Sequence, residues 1–86
     1  MNNSNESMSV QDALETMYYQ GLGYLKGIGV ERDTDKAVNH ITAVATAGLP
    51  IAMERLYFMY SYGDGVTANR NIAKYWQDKY NETIKE

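Results

Sequence analysis

His40 is the one imidazole in a chain of 86 residues without a cysteine. Neither a thiolate metal site, a thiol nucleophile nor a disulfide can form without cysteine. A lone histidine has no second ligand to complete a zinc site, and no serine–histidine–acid set can be assembled around it. His40 is therefore read as a packed ring. Glu15, Glu31, Glu54 and Asp64 offer no convincing acid/base pair. Asp33-Thr34-Asp35 lacks the ligand ladder and distal glutamate of a calcium loop, and acids beside a helix start read as caps. Gly21, Gly23 and Gly27 imitate a dinucleotide fingerprint, but that motif works between a strand and a helix. Here the glycines run along and out of a helical pattern. No catalytic, cofactor-binding or metal-binding residue is assigned, and the chain is expected not to be an enzyme.

The aromatic residues could do different work. Tyr57, Phe58, Tyr60, Tyr62, Tyr75, Trp76 and Tyr80 all lie in the second half. A helix has one buried stripe, whereas Tyr57-Phe58-Met59-Tyr60 covers a full turn. At least one large ring must face outward, and aromatic rings with a polar tip are preferred interface anchors.

The elements that position these residues follow from a repeat. Gly27-Ile28-Gly29-Val30 returns as Gly63-Asp64-Gly65-Val66, a spacing of 63 − 27 = 36 residues. Met17 returns as Met53, Tyr24 as Tyr60, Asp33 as Asn69 and Ala37 as Ala73. A period in the thirties marks stacked helix pairs. Ser9 and Asp12 open a first helix over about 9–26, with Ala13, Met17, Gly21 and Tyr24 as its apolar stripe. Asp33 caps a second, with Ala37, Val38, Ile41, Val44 and Ala45 buried, and Gly48 ends it. Pro50 opens a third over about 50–62, and Asn69 caps a fourth over about 70–83. Val30 and Val66 are expected to plug the bottom of each hairpin. No strand is expected.

In register, the chain resembles the Sel-1-like repeat family, relatives of the tetratricopeptide solenoids. The first copy carries Gly21, Tyr24, Gly27-Ile28-Gly29-Val30, Asp33, Lys36-Ala37, Ala45 and Gly48. The second carries Ala52, Leu56, Tyr60, Gly63-Asp64-Gly65-Val66, Ala73 and Trp76. The resemblance implies an all-α, right-handed αα-hairpin solenoid of about four helices. Repeat one spans about 13–48 and repeat two about 49–84, within a domain over 9–86 that follows a disordered lead-in over 1–8. Departures are expected to matter. Gln20 stands for leucine, His40 for tryptophan, Tyr57 for a close-approach glycine and Tyr80 for alanine. Tyr57 should splay or re-pack the second hairpin, and the aromatic final helix should leave apolar surface uncovered.

By analogy with tetratricopeptide geometry, the first helix of each pair lines a concave face. That analogy implies partner-binding roles for Tyr18, Leu22 and Lys26, and for Glu54, Phe58 and Tyr62. The expected partner is a protein. A net charge of −3 without a basic stripe argues against nucleic acid. No run reaches the roughly 20 apolar residues of a membrane span, and no secretory signal is seen at the start, so a cytoplasmic location is expected. Two units fall below the roughly three that repeat arrays need, which points to capping, self-association or a partner. The function expected is a non-enzymatic binding module, such as an adaptor or an immunity-type protein that neutralises a toxin or effector. The alternative is a self-assembling homodimer closed by its aromatic end, with a hydrolase-like enzyme a distant third reading.

Overall fold

The computed structural model describes residues 8–85. Four helices follow one another: α1 (Val10–Lys26), α2 (Thr34–Thr46), α3 (Pro50–Tyr62) and α4 (Arg70–Ile84). Among the described residues there is no strand, so the all-α, four-helix expectation holds. The α1–α2 and α3–α4 pairs form hairpins, and α2 packs on α3 to join them. The expected lead-in over 1–8 lies outside the described residues apart from Met8.

Each helix begins and ends for a local reason. The Ser9, Asp33 and Asn69 side chains accept the N–H groups of Asp12, Lys36 and Ile72, each satisfying a donor the helix cannot. The loops after α1 and α3 repeat bond for bond. The N–H groups of Ile28 and Asp64 return to the carbonyls of Gly23 and Met59. Those of Asp33 and Asn69 return to Tyr24 and Tyr60, each at 2.9 Å. Both turns rest on a left-handed residue, Gly27 at φ 73° and Gly63 at φ 69°. Between the hairpins, Gly48 at φ 109° lets its own N–H reach the Ala45 carbonyl and that of Leu49 reach Val44. This is a Schellman closure.

One hydrophobic cluster runs through both hairpins, from Tyr18 and Ile41 to Leu56, Met59 and Trp76. Within the first pair, Gly21 allows α1 to lie against α2: an added Cβ would stand 3.0 Å from Ile41 Cγ1 and 3.1 Å from His40 Cβ. Its counterpart Tyr57 is half-buried against the edge of the core.

The expectation that Val30 plugs the first hairpin needs correction, and Met17 departs from its register partner for the same cause. Met17, on the apolar stripe of α1, is 38 % exposed, whereas its counterpart Met53 is 4 % exposed. The reason is that α1 turns Tyr18, Gly21 and Leu25 inward, and none of the described residues stacks on its outer side as repeat one stacks on α3. Val30 is exposed for the same reason, while Val66 packs on the core. The aromatic final helix does leave apolar surface uncovered, with Ile72, Tyr75 and Ile84 exposed, while Trp76 is buried and Tyr80 is half-buried against the cluster.

Candidate protein-binding surface

Tyr18, Leu22 and Lys26 follow one another at four-residue spacing on α1, as Glu54, Phe58 and Tyr62 do on α3. Such residues share a helix face. Their environments differ along each row. Tyr18 is 2 % exposed, so its ring belongs to the core and not to a contact surface. Its hydroxyl accepts a hydrogen bond from Arg55 Nε at 3.3 Å, tying α1 to α3. A buried phenol needs such a partner, and Arg55 is the polar residue that sequence reasoning missed. Leu22 is half-buried against the cluster. Lys26 and Glu54 are exposed.

Phe58 and Tyr62 are 44 % and 76 % exposed. Their rings stack with centroids 6.2 Å apart and planes 9° from parallel. Tyr57 extends the row, 5.1 Å from Phe58 in a tilted arrangement. Phe58 and Tyr62 thus stand exposed on α3 with the half-buried Tyr57 beside Phe58. A stacked pair is already partly ordered, which lowers the entropy lost when a partner covers it. Beyond Tyr57 lies an open groove of about 570 Å³, where Tyr57 and Tyr60 face Asn69, Arg70, Lys74 and Gln77 across the α3–α4 seam. Lys74 is held by Asp78 at 3.1 Å. The signal for this groove was present in the register: Gln77 stands 36 residues after Ile41, so the second seam opens where the first is filled.

The chemistry available here is contact chemistry. Among the described residues, no polar or charged side chain is fully buried, and no three potential ligands gather to hold a metal ion. His40 is half-buried, its ring 5.4 Å from that of Tyr24 and its Nδ1 3.2 Å from the Lys36 carbonyl oxygen. Lys36 Nζ sits 5.0 Å above the same tyrosine ring, a cation–π contact. No described helix is long and apolar enough to cross a membrane.

The profile of the Sel1 repeat matches residues 15–48 and 50–76, most of both hairpins. The chain belongs to the Sel1 repeat family. A crystal structure of a Sel1 repeat protein from Oxalobacter formigenes superposes with a TM-score of 0.70. The match covers 92 % of this chain and 70 % of that one at 24 % identity, a likeness of fold. Comparison with curated protein sequences gives no match. Sel1 repeats are generally protein–protein interaction modules and non-enzymatic scaffolds. The family boundary near residue 48 falls at the Gly48 closure, where the helical hairpins are joined.

Proposed function

We propose that this Sel1 repeat chain is a non-enzymatic adaptor that binds one protein partner along the face shared by α1 and α3. Phe58 and Tyr62 are its anchors, with the half-buried Leu22 contributed by α1, Lys26 and Glu54 at the rim, and Tyr18 as the buried floor. The observation that carries this reading is the exposed, parallel Phe58–Tyr62 pair. Exposed aromatic groups on a rigid helix combine a large apolar area with few rotatable bonds, the profile of an interface hot spot. A toxin-neutralising immunity role is one concrete form of the reading, motivated by the small, acidic, cysteine-free chain. Failure to protect cells from a toxin that co-purifies with it removes that form.

The decisive experiment begins with capture of the partner from the native host and its identification by mass spectrometry. Calorimetry with the purified partner then compares the wild type with Phe58→Ala. Affinity should fall about 10- to 100-fold, the range of a hot-spot truncation, while helical content is retained. Unchanged affinity in a folded variant overturns the proposed face.

A further inference from the structure

Two rows of side chains run along the α1–α3 face in one shared register. On α1, Glu15, Tyr19, Leu22 and Lys26 recur at three- and four-residue spacing, so they share one side of the helix. Their equivalents on α3, each 36 residues later, are Ile51, Arg55, Phe58 and Tyr62. The hydrogen bond from Arg55 Nε to the Tyr18 hydroxyl closes the seam between the helices and sets the rows side by side. Tyr19, Ile51, Phe58 and Tyr62 are exposed. Large apolar side chains gathered on one face, unlike scattered single ones, mark an interaction surface.

The charges of the α1 row stand at its opposite ends. Glu15 opens the row and Lys26 closes it, 26 − 15 = 11 residues later, about three turns or about 16 Å along the axis. Glu15 accepts a hydrogen bond from the neutral Gln11 Nε2 at 3.2 Å. The one ion pair among the described residues joins Lys74 to Asp78, so neither Glu15 nor Lys26 is neutralised. A row that is acidic at one end and basic at the other complements itself when a second copy lies antiparallel on it. The twofold axis then passes midway between Tyr19 and Leu22 and, by the shared register, midway between Arg55 and Phe58. Glu15 meets Lys26 of the second copy, and the symmetry makes that contact twice. Tyr19 meets Leu22, Ile51 meets Tyr62, and Arg55 meets the Phe58 ring as a cation–π pair. A parallel copy would instead lay α1 on α3 and set Glu15 on Ile51, burying a charge without a partner.

We propose that a second copy of this chain, antiparallel to the first, occupies the α1–α3 face whenever no other protein does. The inference rests on the reading of that face as the binding surface and adds its regulation. The second copy and the partner compete for Phe58 and Tyr62, so a partner gains the face only as the dimer parts. The choice of a second copy follows from the charges: the face itself supplies both halves of the Glu15–Lys26 contact in the one orientation that also joins apolar to apolar.

Sedimentation analysis of the pure chain tests this. The wild type should show a monomer–dimer equilibrium. Glu15→Lys and Lys26→Glu each set like charges together at both ends of the α1 row. Each should raise the dimer dissociation constant at least about tenfold, since like charges across an interface are costly. Mixing the two variants should restore wild-type affinity as a one-to-one heterodimer, because each supplies the charge the other needs. Circular dichroism checks folding; should Glu15→Lys not fold, the exposed Lys26→Glu alone must still weaken the dimer. A wild type that stays monomeric at about 1 mM, where weak association is detected, overturns the proposal, as does a dimer indifferent to the reversals. The two readings fail separately. A monomeric wild type whose partner affinity falls in Phe58→Ala overturns only the dimer. A charge-sensitive dimer with partner affinity unchanged in Phe58→Ala overturns only the adaptor face.

Discussion

Replacing Gly21 by alanine sets two opposed effects against each other, and the geometry decides between them. Alanine in a helix interior is favoured over glycine by about 1 kcal/mol. Against that, the new Cβ would lie 3.0 Å from Ile41 Cγ1 and 3.1 Å from His40 Cβ, where carbon atoms prefer roughly 3.5–4.0 Å. Ile41 is fully buried and has no free space to turn into. The His40 Cβ is fixed to the α2 backbone, so relief requires α2 to move away. Overpacking of this kind costs about 1–3 kcal/mol, which leaves a net loss of about 1 kcal/mol at the centre of the range. A chain of 86 residues carries about 4–13 kcal/mol of stability in all. The melting temperature should therefore fall by about 4–8 °C, measured by circular dichroism alongside urea unfolding. In an Ile41→Ala background the clashing Cγ1 is absent while the His40 Cβ contact remains, so the same substitution should cost less than in the wild type, a coupling of about 0.5 kcal/mol or more. A more stable Gly21→Ala in the wild-type background would refute the claim that this glycine sets the α1–α2 distance.

Leu56, fully buried at the centre of α3, should lose about 2–5 kcal/mol on replacement by alanine, read from the urea midpoint; a loss below about 1 kcal/mol would place it outside the core. Asp33→Ala and Asn69→Ala each remove one side-chain cap and should each cost about 1 kcal/mol. Equality of the two costs tests whether the repeated loops are energetically equivalent, and a measured difference above about 1 kcal/mol would show that they are not. Tyr62→Ala should leave thermal stability within about 0.5 kcal/mol of wild type, as for exposed sites, since Tyr62 is largely in solvent; a large drop in melting temperature would make it a structural residue.

The helix boundaries were legible because each is written in local chemistry. Ser9, Asp33 and Asn69 cap in the structure as their types require, and the two Gly-x-Gly-Val loops close by the same bonds. Burial on α1 was legible only in part. Met17 and Met53 are identical in type and register, so no pattern within the chain separates them, and the presence of a stacked neighbour does. Tyr18 was assigned to a partner-facing row because row position alone does not reveal that α3 covers it. Phe58 and Tyr62 were recognisable as candidate anchors because α3 carries more large rings than one buried stripe can hold, although which rings stack depends on packing. The Tyr57 groove was foreshadowed by the loss of glycine, but its open form depends on Gln77 across the seam.

The Gly48 closure has a mechanical consequence. Only Ala47, Gly48 and Leu49 separate α2 from α3, and two hydrogen bonds back into α2 hold the joint. Pro50 then fixes the first backbone angle of α3. The joint behaves as a locked bracket and not as a tether. The angle between the hairpins is set before any partner arrives, so a surface spanning both works as a gauge of fixed curvature. Partners whose shape departs from that curvature must bend themselves or lose contact, and selectivity among them comes from backbone shape as well as from the side chains it displays.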